Sequence, residues 1–256
     1  MAFTIHLSVP GVQLTIRKER KGRLQLLDSG DEDHEKVVRL FKDGWLHKNK
    51  NLPYVYRMFR ITAPESLIQP YLQYYDSVRR DTGTTPDIEH LLFHGTFRAC
   101  ALGETEDNVR LCHLARCGLC SIIRSSFDIS RCGTQHKFSR FGQGIYTTKC
   151  SSKADDYSSS ERSDLKLRFL LVNTVVVGWQ NKRTRNKRSL VNAGPGYHSV
   201  LGVPGEDLNY EETVVYDNDA IRPAYLIVYG DTPPVPPKPI DARTVMRKLF
   251  TTPLVL

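Results

Sequence analysis

The chain has 256 residues, 40% apolar and 25% charged, with a formal net charge of +8. These values suit a soluble globular fold of one large domain, and no apolar run approaches the roughly 20 residues that span a bilayer. The opening Met-Ala-Phe-Thr-Ile-His lacks a basic segment ahead of an apolar core, so no secretory signal is read and an intracellular location is expected.

Residues 1–32 hold two alternating stretches, Phe3, Ile5, Leu7 and Val12, Leu14, Ile16, which predict a hairpin or extension. Asp33 is read as the cap of a helix carrying Glu35, Val37, Val38, Leu40 and Phe41. Tyr54 to Ile61 reads as a strand, with Tyr56, Met58 and Phe59 as packing candidates. Pro64 begins a second helix through Leu67, Ile68, Tyr71, Leu72, Tyr75 and Val78, and Pro70 either interrupts it or sits in the first turn of a later start. Lys166 to Gly178 is long and Val/Leu-rich, as for a central strand. Thr213–Tyr216 and Ala224–Tyr229 read as neighbouring antiparallel strands joined at Asp217-Asn-Asp219. The order of elements predicts an α+β domain over residues 33–230, followed by a Pro-rich, extended tail over 231–256.

Two compositional features stand outside this pattern. Asn181 to Arg188 holds five basic residues in eight, which reads first as a solvated loop and second as a surface for phosphate-rich partners. All six cysteines lie between Cys100 and Cys150, which argues against a disulfide framework. Cys112, Cys117 and Cys120 have spacing suited to a tetrahedral zinc site, with Cys100 or Cys132 as the fourth ligand and His113 as a substitute. The set taken forward is Cys100, Cys112, Cys117 and Cys120; the simpler reading is that small buried cysteines pack.

Three segments carry candidate chemistry. His94-Gly95-Thr96 ends an apolar run: a histidine there reaches a hydroxyl, and glycine lets a carboxamide approach backbone N–H and C=O. Phe141-Gly-Gln-Gly-Ile-Tyr146 presents a tyrosine on a strand, and Tyr157 follows on a short helix begun by Ser151 and Ser152. Two such rings sandwich a planar group, each contact contributing about 1 kcal/mol beyond area burial. Glu212 heads the strand Glu212-Thr-Val-Val-Tyr216 and shares a face with Val214 and Tyr216, while Glu211 points away. A carboxylate there is costly to bury unless paired or functional.

Together with Gly196-Tyr-His-Ser199-Val-Leu-Gly202, these segments resemble the catalytic domain of the poly(ADP-ribose) polymerase-like ADP-ribosyltransferases from about Asp33 to Gly230. The resemblance implies a split β-sandwich of antiparallel strands with flanking helices, and NAD as substrate. It implies that His94, Tyr146 and Glu212 form the catalytic triad, with His94 holding the adenine-side ribose and Glu212 the nicotinamide ribose. It further implies that Gly95 holds the nicotinamide amide, that Tyr146 and Tyr157 stack on its ring, and that Thr96 lines the site. Where many members carry a serine aimed at that amide this chain has Ala154, so Ser151 or Ser152 is expected to substitute.

The implied activity is cleavage of the nicotinamide–ribose bond and transfer of ADP-ribose to a protein, itself included, or to nucleic acid. The short segment before His94 favours a mono-transferase. Two alternatives stay open: a silent NAD- or ADP-ribose-binding module, and a basic zinc-containing nucleic-acid-binding protein. No membrane partner is expected.

Overall fold

The computed structural model describes residues 4–9, 12–17, 23–83, 87–132, 139–161 and 167–234. Most of the Pro-rich tail, residues 235–256, lies outside them. A hairpin comes first, β1 (Thr4–Val9) pairing with β2 (Val12–Arg17). β3 (Leu24–Leu26) precedes α1 (Glu32–Asp43), β4 (Tyr54–Ile61) and α2 (Glu65–Thr82). β5 (Glu89–His94), β6 (Phe97–Arg98) and α3 (Gly118–Ser125) follow. Then come β7 (Ile145–Thr147), α4 (Ser151–Asp155), β8 (Ser159–Ser160) and β9 (Arg168–Val176). β10 (Gln180–Arg183), β11 (Ser199–Gly202), β12 (Glu212–Val215) and β13 (Ile221–Gly230) complete the order.

The arrangement is α+β. Among the described residues, five strands form one antiparallel sheet in the order β3-β4-β13-β9-β5. Four form a second in the order β10-β11-β12-β7, antiparallel except for the parallel β10–β11 pair. β3 lies within the first 32 residues yet pairs with β4, so the large sheet begins at Leu24.

Every residue of β13 is buried, because both faces of the large sheet are covered. Leu226 and Val228 pack with Phe59, Leu171 and the α3 residues Leu119 and Ile123. Ile227 and Tyr229 face the other way, against Met58, Leu170 and the α1 residues Val37 and Phe41. Each fully buried side chain of this size contributes about 1.5–3 kcal/mol.

Four local expectations are corrected. The cap of α1 is Asp31, whose carboxylate accepts from Asp33 N–H at 2.9 Å. Pro70 lies inside α2, where it removes one helical bond without ending the helix. β12 and β13 are not neighbours: each belongs to a different sheet, and Asn218–Ala220 is a 3-10 turn where the chain crosses between them. The basic run is part strand, since Gln180–Arg183 is β10.

Candidate active site

The two sheets meet beside β5. Phe93 N–H donates to Thr148 C=O at 2.8 Å, and Thr148 N–H returns to Phe93 C=O at 3.1 Å. This isolated bridge sets the end of β5 against the residues after β7. His94 therefore reaches Tyr146, its Nδ1 donating to the Tyr146 carbonyl at 2.9 Å. That bond fixes the tautomer and leaves Nε2 as an acceptor. Burial lowers the affinity of His94 for a second proton, and the Tyr146 carbonyl only partly offsets this. Phe127, just beyond α3, presses edge-on against the imidazole at 5.0 Å.

Tyr146 is held at both ends. Its backbone lies in β7, opposite Val214 of β12. Its Oη accepts from Phe141 N–H at 2.8 Å and donates to Gly142 C=O at 2.9 Å. Gly142 has φ +74°, and a Cβ there would fall 1.8 Å from Leu190 O, so only glycine permits this turn. Burial pushes the Tyr146 phenol up to about 12, and the Glu212 charge adds to this.

The register places Glu212 two residues from Val214, on the face of β12 that carries Tyr146's partner. Glu212 is 6% exposed. Its Oε1 pairs with Lys153 Nζ at 2.8 Å. Its Oε2 is buried and accepts no hydrogen bond from any described residue. Lys153 also donates to Tyr210 C=O at 2.9 Å. Burial lowers the Lys153 ammonium and Glu212 opposes that effect. Tyr157 is 43% exposed, and its phenol is raised by burial and by the Glu212 charge.

Gly95 is needed for packing. A Cβ there would meet Ala154 O at 2.0 Å and the backbone at Tyr157 and Ser158 within 2.9 Å, so the turn after β5 abuts the end of α4. Its N–H and C=O make no hydrogen bond to any described residue. Thr96 turns its hydroxyl toward the first residue of α3: a Cβ on Gly118 would lie 2.5 Å from it.

The serines expected to replace the missing hydroxyl are committed elsewhere. Ser152 Oγ accepts from Leu46 and His47 N–H at 3.0 Å each and lies 2.7 Å from His47 Nδ1. Ser151 Oγ donates to Phe41 C=O at 2.7 Å. Both are fully buried and tie α4 to the segment from Phe41 to His47. Ala154 itself is 2% exposed.

His94, Tyr146, Tyr157 and Glu212 thus come to one locality, with Gly95 against its α4 edge. Lys153 was not anticipated. It lies within α4, whereas Tyr157, expected on the same short helix, falls in the turn beyond its end at Asp155. The sulfur atoms of Cys100, Cys112, Cys117 and Cys120 also converge, all within 4.8 Å of one another. Cys132 is apart from them, its thiol directed at Asp128 C=O, and His113 is not among the converging residues. No described helix is long and apolar enough to cross a membrane.

The chain is 24% identical over 253 residues to the mouse (Mus musculus) "Protein mono-ADP-ribosyltransferase PARP10", an alignment covering 96% of the chain and 22% of that protein. Residues 31–206 match the poly(ADP-ribose) polymerase catalytic domain, and the chain belongs to that family.

Proposed function

We propose that this chain cleaves the nicotinamide–ribose bond of NAD and transfers ADP-ribose to a protein acceptor, itself included, or to nucleic acid. The observation that carries this reading is Glu212: a buried carboxylate with one oxygen paired to Lys153 and the other without a partner among the described residues. A ribose hydroxyl satisfies that second oxygen. As the glycosidic bond lengthens, positive charge grows on the ribose, and a fixed carboxylate stabilises it more than the ground state. The same group orients or deprotonates the acceptor.

The other residues fit this substrate. His94 presents Nε2 as an acceptor for the adenine-side ribose. The N–H and C=O of Gly95, without partners among the described residues, match a carboxamide, which has donors and an acceptor to offer. With Ala154 in place and both serines engaged, that backbone pair holds the amide without a serine hydroxyl. Tyr146 and Tyr157 supply ring faces for the pyridinium, and Thr96 supports the turn. Lys153 and Arg140, both close enough to influence the charges here, suit an anionic dinucleotide.

We read residues 33–230 as the catalytic unit, residues 1–32 as an N-terminal extension that lends β3, and 231–256 as a tail. The two sheets, joined at Phe93 and Thr148, support a split β-sandwich. The name of the mouse relative, a mono-ADP-ribosyltransferase, favours single rather than repeated transfer. A second reading, a silent NAD- or ADP-ribose-binding module, is favoured by the Lys153 ion pair, which partly neutralises the carboxylate.

The test is nicotinamide release and labelled ADP-ribose transfer from NAD, with protein, DNA and RNA offered as acceptors. Glu212→Gln is expected to bind NAD within a few-fold of wild type and to release nicotinamide at least about 100-fold more slowly. Wild type that binds NAD but releases nothing supports the silent module.

A further inference from the structure

We propose that Cys100, Cys112, Cys117 and Cys120 bind one zinc ion as a closed tetrathiolate clip that holds the 101–116 loop and the start of α3 against the His94-Gly95-Thr96 turn.

The sulfur geometry is the first argument. Cys100 Sγ lies 3.5 Å from Cys120 Sγ and 3.9 Å from Cys117 Sγ, and all four sulfurs are within 4.8 Å of one another. A tetrahedron with zinc–sulfur bonds of about 2.3 Å has edges of about 3.8 Å. The observed separations bracket that edge. They are far from the roughly 2.05 Å of a disulfide, and all four thiols are free. Four protein sulfurs leave no open coordination position, which is the composition of a structural site.

The surroundings are the second argument. Cys117 and Cys120 are fully buried. Ala99 N–H points at Cys117 Sγ at 3.4 Å, the kind of donor that steadies a thiolate. The Arg98 guanidinium is wholly buried beside Cys100, Cys117 and Cys120, and is anchored by Glu104 at 2.9 Å and Leu102 C=O at 2.9 Å. Zinc with four thiolates carries a net charge of −2, and a buried cation next to it offsets part of that charge.

The chain path is the third. Residues 101–116 contain no helix or strand, although the loop lies against the apolar core through Leu102, Val109 and Leu111. A structureless loop of this length in a compact domain needs a staple. Cys100 and Cys112 fall at its start and toward its end, and Cys117 and Cys120 open α3. From there the connection to the pocket is short: Gly118 backs onto Thr96, and Phe127 edges onto His94.

The experiment uses the whole chain, expressed with zinc supplied and any affinity tag removed. Elemental analysis is expected to find about one zinc per chain and no iron, and X-ray absorption to fit four sulfurs at about 2.3 Å. Cys112→Ser and Cys120→Ser lower zinc to under about a fifth of an equivalent, whereas Cys132→Ser keeps it. Where a ligand variant fails to fold, the wild-type metal content, its absorption spectrum and Cys132→Ser still decide. Removing the metal speeds amide exchange in α3 and residues 94–98 by at least about tenfold. Wild type with under about a tenth of an equivalent of zinc, bound iron, nitrogen or oxygen ligands, zinc loss in Cys132→Ser, or exchange indifferent to metal each overturns the proposal.

Discussion

Asp155 and Glu212 are each 6% exposed, and both are paired at α4: Asp155 lies on the helix and Glu212 reaches Lys153, two residues earlier. Their surroundings differ. Asp155 accepts from Lys50 at 2.8 Å, from Arg168 at 3.0 and 3.1 Å and from Tyr229 Oη at 2.7 Å, so both oxygens are satisfied. Glu212 has one ion pair and one oxygen without a partner among the described residues. Equal burial therefore conceals unequal satisfaction. A fully coordinated carboxylate locks α4, β9, β13 and the Lys50 segment after α1 together, while a half-coordinated one retains capacity for a ligand.

Substitution sharpens this contrast. Asp155→Ala leaves the buried Tyr229 hydroxyl without its acceptor and takes one of two carboxylate partners from Lys50 and from Arg168, and chemical denaturation is expected to show a loss of about 2–3 kcal/mol. Glu212→Gln, by contrast, leaves the unfolding free energy within about 1 kcal/mol of wild type while abolishing most nicotinamide release. Equal destabilisation by the two changes would erase the distinction. Ser152→Ala leaves the Leu46 and His47 donors unsatisfied, and a denaturation midpoint corresponding to a loss of about 1–3 kcal/mol is expected. An unchanged midpoint would return Ser152 to the ligand site.

Lys153→Met removes the ion-pair partner that holds Glu212 Oε1 at 2.8 Å. Nicotinamide release should fall about tenfold, and an unchanged rate would show that the ion pair does not position the carboxylate. A separate effect, seen only as a pH dependence, concerns a third carboxylate. Glu89 accepts from Tyr71 Oη, its second oxygen has no partner among the described residues, and burial pushes its carboxyl up to about 7. The folded state holds this proton more tightly than the unfolded chain. Its stabilising contribution is full below about 4.5 and is lost as pH rises toward about 7. Glu89→Gln is expected to remove that slope, measured as the wild-type minus variant difference in Tm across this range.

Much of this was legible in local sequence. Apolar periodicity located α1, β4 and β9 because each buries a regular stripe. The segments holding His94, Tyr146 and Glu212 stood out by their resemblance to a family's motifs, and the structure puts His94 at the end of β5, Tyr146 within β7 and Glu212 at the start of β12. What failed depended on distant partners. Ser152 is fixed by Leu46 and His47, more than a hundred residues away, and nothing near it in sequence signals that. Asp217-Asn-Asp219 reads as a hairpin turn, but whether a chain doubles back or passes to another sheet depends on which faces need covering. Likewise the choice between Cys100 and Cys132 was made by the path of the 101–116 loop. Pro70 could be tolerated within α2 because the helix loses only one bond there.

The double anchorage of the Tyr146 hydroxyl has a consequence for recognition. An aromatic plane on a free side chain must be immobilised at the moment of contact, which opposes association by about 0.5–1.5 kcal/mol. Here the Phe141 amide and the Gly142 carbonyl completed that immobilisation while the polypeptide was folding. On the proposed function, a flat ring stacking on Tyr146 meets a face whose hydroxyl is already held in place before it arrives.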